Sequence, residues 1–239
     1  MNKLIILVIV IIVAIGGFVM LKQADKNEDT GRVVISVTDA AVDMTNISEI
    51  TMTVNKVELH SEATGWVTAS SATRTYSLLD LKARGESALA ADANIAAGTY
   101  NQIRVTIDNI QVKTNTGTVS EAKLPSGQLK LNGEIVVNAE EITSVNLDFL
   151  ASASLHMTGK GMYVFAPVVH MEVRSDVKIG ISEDDKDDKD EVEEVEIEDG
   201  KIEEEIDAGM DVDGEVKKDF EINANAKVKI ENGMIKLED

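Results

Sequence analysis

Residues Leu4–Leu21, LIILVIVIIVAIGGFVML, run for eighteen positions without a charged or strongly polar side chain. As a helix the stretch reaches about 27 Å at about 1.5 Å per residue, close to the roughly 30 Å hydrocarbon core of a bilayer. A single segment crossing lipid satisfies its own peptide groups only as a helix. Leu4–Leu21 is therefore expected to be a transmembrane signal anchor behind a three-residue flank, with the lipid bilayer as its partner. The run exceeds the roughly 7–15 apolar residues of a cleaved signal, and no A-x-A pattern precedes Gln23-Ala24. Lys3 on one side and Lys22 and Lys26 on the other nearly balance, so charge does not set the orientation. The short flank is easily retained inside, which places the folded part on the extracytoplasmic side.

The chain has 239 residues and a net charge of −20. Residues 183–239 hold 24 Asp and Glu against 8 Lys, a local balance of −16 that leaves −4 for the rest. Such a surface repels phosphate backbones, so nucleic acid is excluded as an ordinary partner. There is no cysteine, which removes disulfides, thiolate metal sites, thiol nucleophiles and a lipidated anchor.

After a polar spacer, residues 22–31, alternating apolar and polar segments recur at Val33–Val37, Ile50–Leu59, Trp66–Ala69, Thr73–Leu78, Tyr100–Ile107, Leu129–Val137, Thr143–Phe149 and Tyr163–Ile179. Turn chemistry separates them, notably at Asp39–Asp43, Gly98 and Pro125-Ser-Gly127, and Gly133 is read as a further structural turn. Leu78–Ala91 alone suits a short helix or a loop over one end of the sheets. Strands with one half-buried face must cover it with another sheet, so residues 32–179 are expected to form an all-β, Greek-key antiparallel β-sandwich, with a closed barrel as the alternative. Trp66, Tyr76, Tyr100 and Phe149 fall within strand patterns and are expected in the core or at the sandwich edge.

Residues 180–191 form an acidic linker that cannot bury apolar surface. Beyond it, Val195-Glu-Ile-Glu-Asp-Gly-Lys-Ile202 is echoed by Val228-Lys-Ile-Glu-Asn-Gly-Met-Ile235 at an offset of 33 residues. Asp-Gly and Asn-Gly are favoured at the centres of two-residue hairpins. Residues 192–239 are accordingly expected to form a small acidic β-hairpin module, with Val212–Val216 as a candidate extra strand.

Three longer segments carry a resemblance: Ile35-Ser-Val-Thr-Asp-Ala40, Gly98-Thr-Tyr-Asn-Gln-Ile-Arg-Val-Thr-Ile-Asp108 and Leu124-Pro-Ser-Gly-Gln-Leu-Lys-Leu-Asn-Gly133. With Glu58-Leu-His60, Gly65-Trp-Val67, Tyr76–Leu81 and Phe165-Ala-Pro-Val-Val169, they resemble, in order, the exported prokaryotic family catalogued as domain of unknown function 4382. The likeness covers about Gly31–Arg174. It implies a secreted or membrane-tethered β-sandwich, often lipid-anchored, with no established activity and no catalytic residues to carry over. Asp39-Ala40-Ala41 departs from the family's usual Asp-Ala-Pro turn.

Carboxylates supply the one metal candidate. Asp211, Asp213 and Glu215 in Asp-Val-Asp-Gly-Glu partly match the spacing of a Ca²⁺ loop, without the full ligand set. Asp39 and Asp43, with Asp108 as a potential neighbour, suit turn capping better than catalysis. His60, His156 and His170 show no spacing that demands a zinc site. There is no G-x-S-x-G elbow and no aromatic-lined setting for a pair of glycosidase carboxylates, so no catalytic residue, cofactor or enzyme activity is expected. The reading that follows is a membrane-anchored binding or adhesion module for an envelope protein or glycan, the alternative being a structural cell-envelope protein assembling through the sandwich and the acidic tail.

Overall fold

The computed structural model describes residues 29–39, 44–182, 193–210, 216–218, 227–231 and 234–238. In chain order these form β1 (Thr30–Asp39), β2 (Ile47–Ser61), β3 (Gly65–Ser70), β4 (Arg74–Ser77), α1 (Leu78–Arg84), β5 (Ala88–Ala96), β6 (Gly98–Thr114), β7 (Val119–Lys123), β8 (Gln128–Val137) and β9 (Ile142–Phe149). They continue with α2 (Ala151–Ser154), β10 (Leu155–Met157), β11 (Tyr163–Phe165), β12 (Val168–Ser175), β13 (Lys178–Ser182), β14 (Glu194–Glu198), β15 (Lys201–Met210), β16 (Val216–Lys218), β17 (Lys227–Glu231) and β18 (Met234–Glu238).

One sheet runs β13-β14-β5-β1-β9-β12-β15-β16. The other runs β10-β11-β7-β6-β2-β3, with β4 also on β2 and β8 also on β6, while β17 and β18 pair alone. Alternation explains the inner faces: Val33, Ile35 and Val37 of β1, and Val145, Leu147 and Phe149 of β9, meet Ile103, Val105 and Ile107 of β6 in one shared core. Tyr76 and Tyr100 are buried there as expected, and their hydroxyls donate to the backbone oxygens of Leu89 at 3.1 Å and Ala96 at 2.9 Å. A buried phenol needs such a partner, because an unmet hydroxyl in a dry core costs about 1–3 kcal/mol. The Leu78–Ala91 segment resolves into α1 followed by β5. Gly85, in the left-handed region at φ 67°, ends the helix and donates to Lys82 O at 3.1 Å.

The all-β class holds, but the Greek-key antiparallel sandwich does not. β1 and β9 are parallel over eight paired positions, and β11 and β7 are parallel as well. The first sheet also curls back on itself, giving a partly curled, half-barrel architecture. The cause is a single ribbon that serves both ends of that sheet. β12 pairs with β15 up to Ser175 opposite Lys201, and β13 pairs with β14 from Lys178 opposite Glu198. Between those halves both chains kink, with Asp176 at φ 51°, Asp199 at φ 61° and Gly200 at φ 92°. The inner half lies beside β9, whereas the outer half crosses to β5 and joins it at Glu194 opposite Ala88. Val195 thereby closes a second small cluster with Val34 and Leu89 on the outer face, edged by Ile142, Ile179 and Ile197.

The tail departs from the expected pair of hairpins. Asp199-Gly200 is not a hairpin turn, because β14 and β15 continue one another around the kink and pair with different strands. Asp-Gly does mark a place of positive φ, and a kinked ribbon needs that as much as a hairpin does. At Gly200 a Cβ would lie 2.4 Å from Val177 Cγ1 and 3.0 Å from Ser175 O, so the close approach of the two chains requires glycine. The second repeat does form a hairpin, β17 with β18, Ile230 opposite Ile235.

The expected transmembrane segment Leu4–Leu21 lies outside the described residues. Among those, no helix is long and apolar enough to cross a membrane. The longest, α1, has seven residues, about 10 Å of rise against a core of about 30 Å. The signal anchor, the bilayer as partner and the extracytoplasmic location are therefore withdrawn. With them go the membrane-anchored adhesion reading, its envelope-protein and glycan partners, and the structural cell-envelope alternative.

Candidate functional site

The residues singled out in the sequence do not converge. Asp43, Asp211, Asp213 and Glu215 lie outside the described residues, so the Ca²⁺ proposal has no structural counterpart here. Among the described residues, no group of three or more His, Asp or Glu is placed to hold a metal ion. Asp39 ends β1 almost fully buried and accepts a hydrogen bond from the Ala151 amide at 3.0 Å, tying β1 to the start of α2. Asp108 is exposed on β6, in the other sheet. Gly98 opens β6 after the turn from β5, and Pro125 and Gly127 lie in the β7–β8 connection, where Gly127 O accepts from the Ile107 amide at 2.9 Å. Gly133 is no turn but a mid-strand residue of β8. A Cβ there would lie 2.4 Å from Ile206 Cδ1 and 2.5 Å from Met171 Cε, so glycine lets β8 pack closely on β12 and β15.

What the fold does bring together is a patch on the outer face of β3, β2, β6 and β8. Antiparallel register aligns Trp66, His60, Gln102 and Asn132 in one row, and Thr68, Glu58, Arg104 and Lys130 in the next. Directly opposed residues of an antiparallel pair point to the same face, so each row is a line of neighbouring side chains. Trp66 is 37% exposed on β3, the terminal strand of its sheet, so of the two expected positions, core or edge, it takes the edge. The Arg104 guanidinium carbon lies 3.9 Å from the centre of the indole, and the His60 ring meets it edge-on at 5.0 Å. His60 Nδ1 is 2.9 Å from Asn101 Oδ1, and Gln102 Nε2 donates to Asn132 Oδ1.

Glu58 holds the arrangement from below. It is only 5% exposed and accepts from Arg104 Nε at 2.8 Å, with Arg104 Nη2 at 2.6 Å and Lys56 Nζ at 2.7 Å. Burial by itself raises the Glu58 pKa, but the bonds from Lys56 and Arg104 outweigh it and hold the carboxyl below its ordinary value. A fork of two contacts to one carboxylate fixes the guanidinium plane, and that plane then lies over Trp66. Lys56, Arg104 and Lys130 stand against Glu58 and, on the same face of β8, Glu134, a surplus of one positive charge on a chain of net −20. Glu134, further along β8, bounds the patch.

Sequence reasoning missed this patch because its residues come from four strands and share a face only once the register is set. The one available signal was Trp66 itself, alternating with Val67 and Thr68 on a six-residue strand. Elsewhere, burial lowers the pKa of His156 on β10, which favours a neutral imidazole. His170 Nδ1 lies 2.7 Å from Asp207 Oδ1 across β12 and β15.

A curled all-β domain with an organised polar and aromatic sheet face is thus the class that the structure defines. The chain belongs to the family described as Domain of unknown function (DUF4382), which matches residues 30–167. No curated protein and no solved structure matches it. The match spans β1–β11 and ends just before β12, so it includes the whole Trp66 face and leaves the kinked ribbon outside.

Proposed function

We propose that this chain is a non-catalytic recognition domain whose outer face on β3, β2, β6 and β8 takes an acidic, partly apolar polypeptide segment. The observation that carries the reading is the Trp66–Arg104–Glu58 stack, an aromatic ring held at the surface by a partly buried ion pair. Part of the indole stays open beside Arg104, and tryptophan and arginine are among the residue types enriched where binding energy concentrates. Lys130 and Lys56 offer ammonium groups to carboxylates of the ligand, while Asn101, Gln102 and Asn132 offer amide donors. The free part of the Trp66 ring suits an aliphatic side chain between those carboxylates.

The test is calorimetric titration of the full chain with a short synthetic peptide of alternating glutamate and valine. Trp66→Ala and Lys130→Glu should each weaken binding about tenfold, corresponding to about 1–1.5 kcal/mol of aromatic or ionic interaction removed. Binding should also weaken with salt, since exposed charges are screened beyond about 8 Å at physiological ionic strength. Equal affinity of the variants and the parent chain would contradict the assignment.

A further inference from the structure

The kinked ribbon is held very unequally along its length. Its inner half, β12 with β15, pairs over eight positions, and β12 also pairs with β9 over six. Its outer half meets the body at one paired position, Glu194 opposite Ala88. Two backbone bonds flank that position, Leu89 N to Glu193 O at 2.7 Å and Val195 N to Ser87 O at 2.8 Å. Arg84 adds an ion pair to Glu194 at 3.1 Å, and Arg74 one to Glu193 at 3.6 Å. Apart from Val195, no described residue of β13 or β14 is fully buried. The kink, meanwhile, holds two aspartates in the left-handed region, which costs an L-residue energy even though aspartate tolerates it better than most. The weak docking and the unfavourable kink lie on the same element.

We infer that the ribbon can straighten and exchange between two copies of this chain, the β13–β14 half of each docking on β5 of the other. Straightening relaxes Asp176 and Asp199 and carries the tip of β13 and β14 about 17 Å beyond the kink, at about 3.3 Å per residue. It also uncovers Val34, Leu89 and the outer edge of β5. The surface that fits those groups is the one that left them, so the ribbon of a second copy covers them again with the same pairing and leaves no group unmatched, the usual route to a swapped dimer. The opened edge of β5 gives the exchange its direction, because an unpaired strand edge templates an incoming strand.

The chain has no cysteine, so a designed pair reports cleanly. Ala88 and Glu194 face each other without exchanging hydrogen bonds, a closely spaced pairing suited to a disulfide. With Ala88→Cys and Glu194→Cys together, mild oxidation should give an intrachain bond in dilute solution and a covalent dimer in concentrated solution. Light scattering on the unmodified chain is the second arm, since Glu194→Cys also removes the Arg84 ion pair. It should show dimer growing with concentration. Gly200→Ala crowds Val177 in the kink and should strengthen dimerisation at least about tenfold, equivalent to about 1.4 kcal/mol, whereas Asp199→Gly should weaken it. A chain that scatters as a monomer at every concentration, or whose dimers are indifferent to Gly200→Ala and Asp199→Gly, would overturn the exchange.

Discussion

Phe149→Ala is expected to lower the unfolding free energy by about 3–5 kcal/mol, read as a fall in the urea midpoint with an unchanged slope. Phe149 is fully buried at the end of β9, opposite Asp39 of β1 on one side and Val169 of β12 on the other. Removing the ring deletes apolar packing between three strands of the curled sheet and leaves a cavity that close-packed neighbours fill only in part. Domains of this kind are stable by about 5–15 kcal/mol, so the variant should sit close to its unfolding threshold. A decrease under about 1 kcal/mol would show that this end of the sheet is open to solvent, because exposed substitutions rarely exceed that range.

Glu58→Gln is the second large effect, with an expected cost of about 2 kcal/mol at neutral pH. Breaking a fully buried pair costs about 3–5 kcal/mol, and the figure is reduced here because Lys56 and part of Arg104 remain in contact with water. The amide preserves the shape of the side chain but leaves two cations without their counter-charge. The pH dependence has a definite sign. The folded value of Glu58 lies below its ordinary 4.5, so its stabilisation is fully present above about pH 4.5 and is lost as the pH falls through the lower folded value. Acid denaturation of the parent chain should therefore lose this contribution in that window, and Glu58→Gln should flatten the curve there. Parallel curves for the two proteins would remove Glu58 as the anchor of the patch.

The strands were legible in the sequence because burial on one face imprints a period of two. Tyr76, Tyr100 and Phe149 lie inside for that reason. Trp66 obeyed the same alternation yet points outward, since period two separates the faces of a strand without saying which is covered. The parallel pairing of β1 with β9 left no local mark either: those strands are about a hundred residues apart, and only the shared core sets their register. Val195 and Ile197 read as part of a hairpin too thin to stand alone, and the structure shows what they pack on, Val34 and Leu89 of the main sheet. Asp199-Gly200 announced positive φ but not whether the chain would reverse or kink. The proposed recognition face was the least legible feature, because Glu58, Trp66, Arg104 and Lys130 are generic residues until four strands bring them side by side.

Trp66 is the only tryptophan in the chain, so its fluorescence reports on the proposed face and nothing else. Titrating the full chain with the alternating glutamate–valine peptide should shift the emission to shorter wavelength and saturate, as an indole 37% exposed becomes covered. In Lys130→Glu the same shift should need about ten times more peptide, and the original midpoint should return when the charges are exchanged, with a lysine–valine peptide offered to that variant. An emission spectrum that stays fixed while calorimetry registers binding would place the ligand elsewhere and contradict the account.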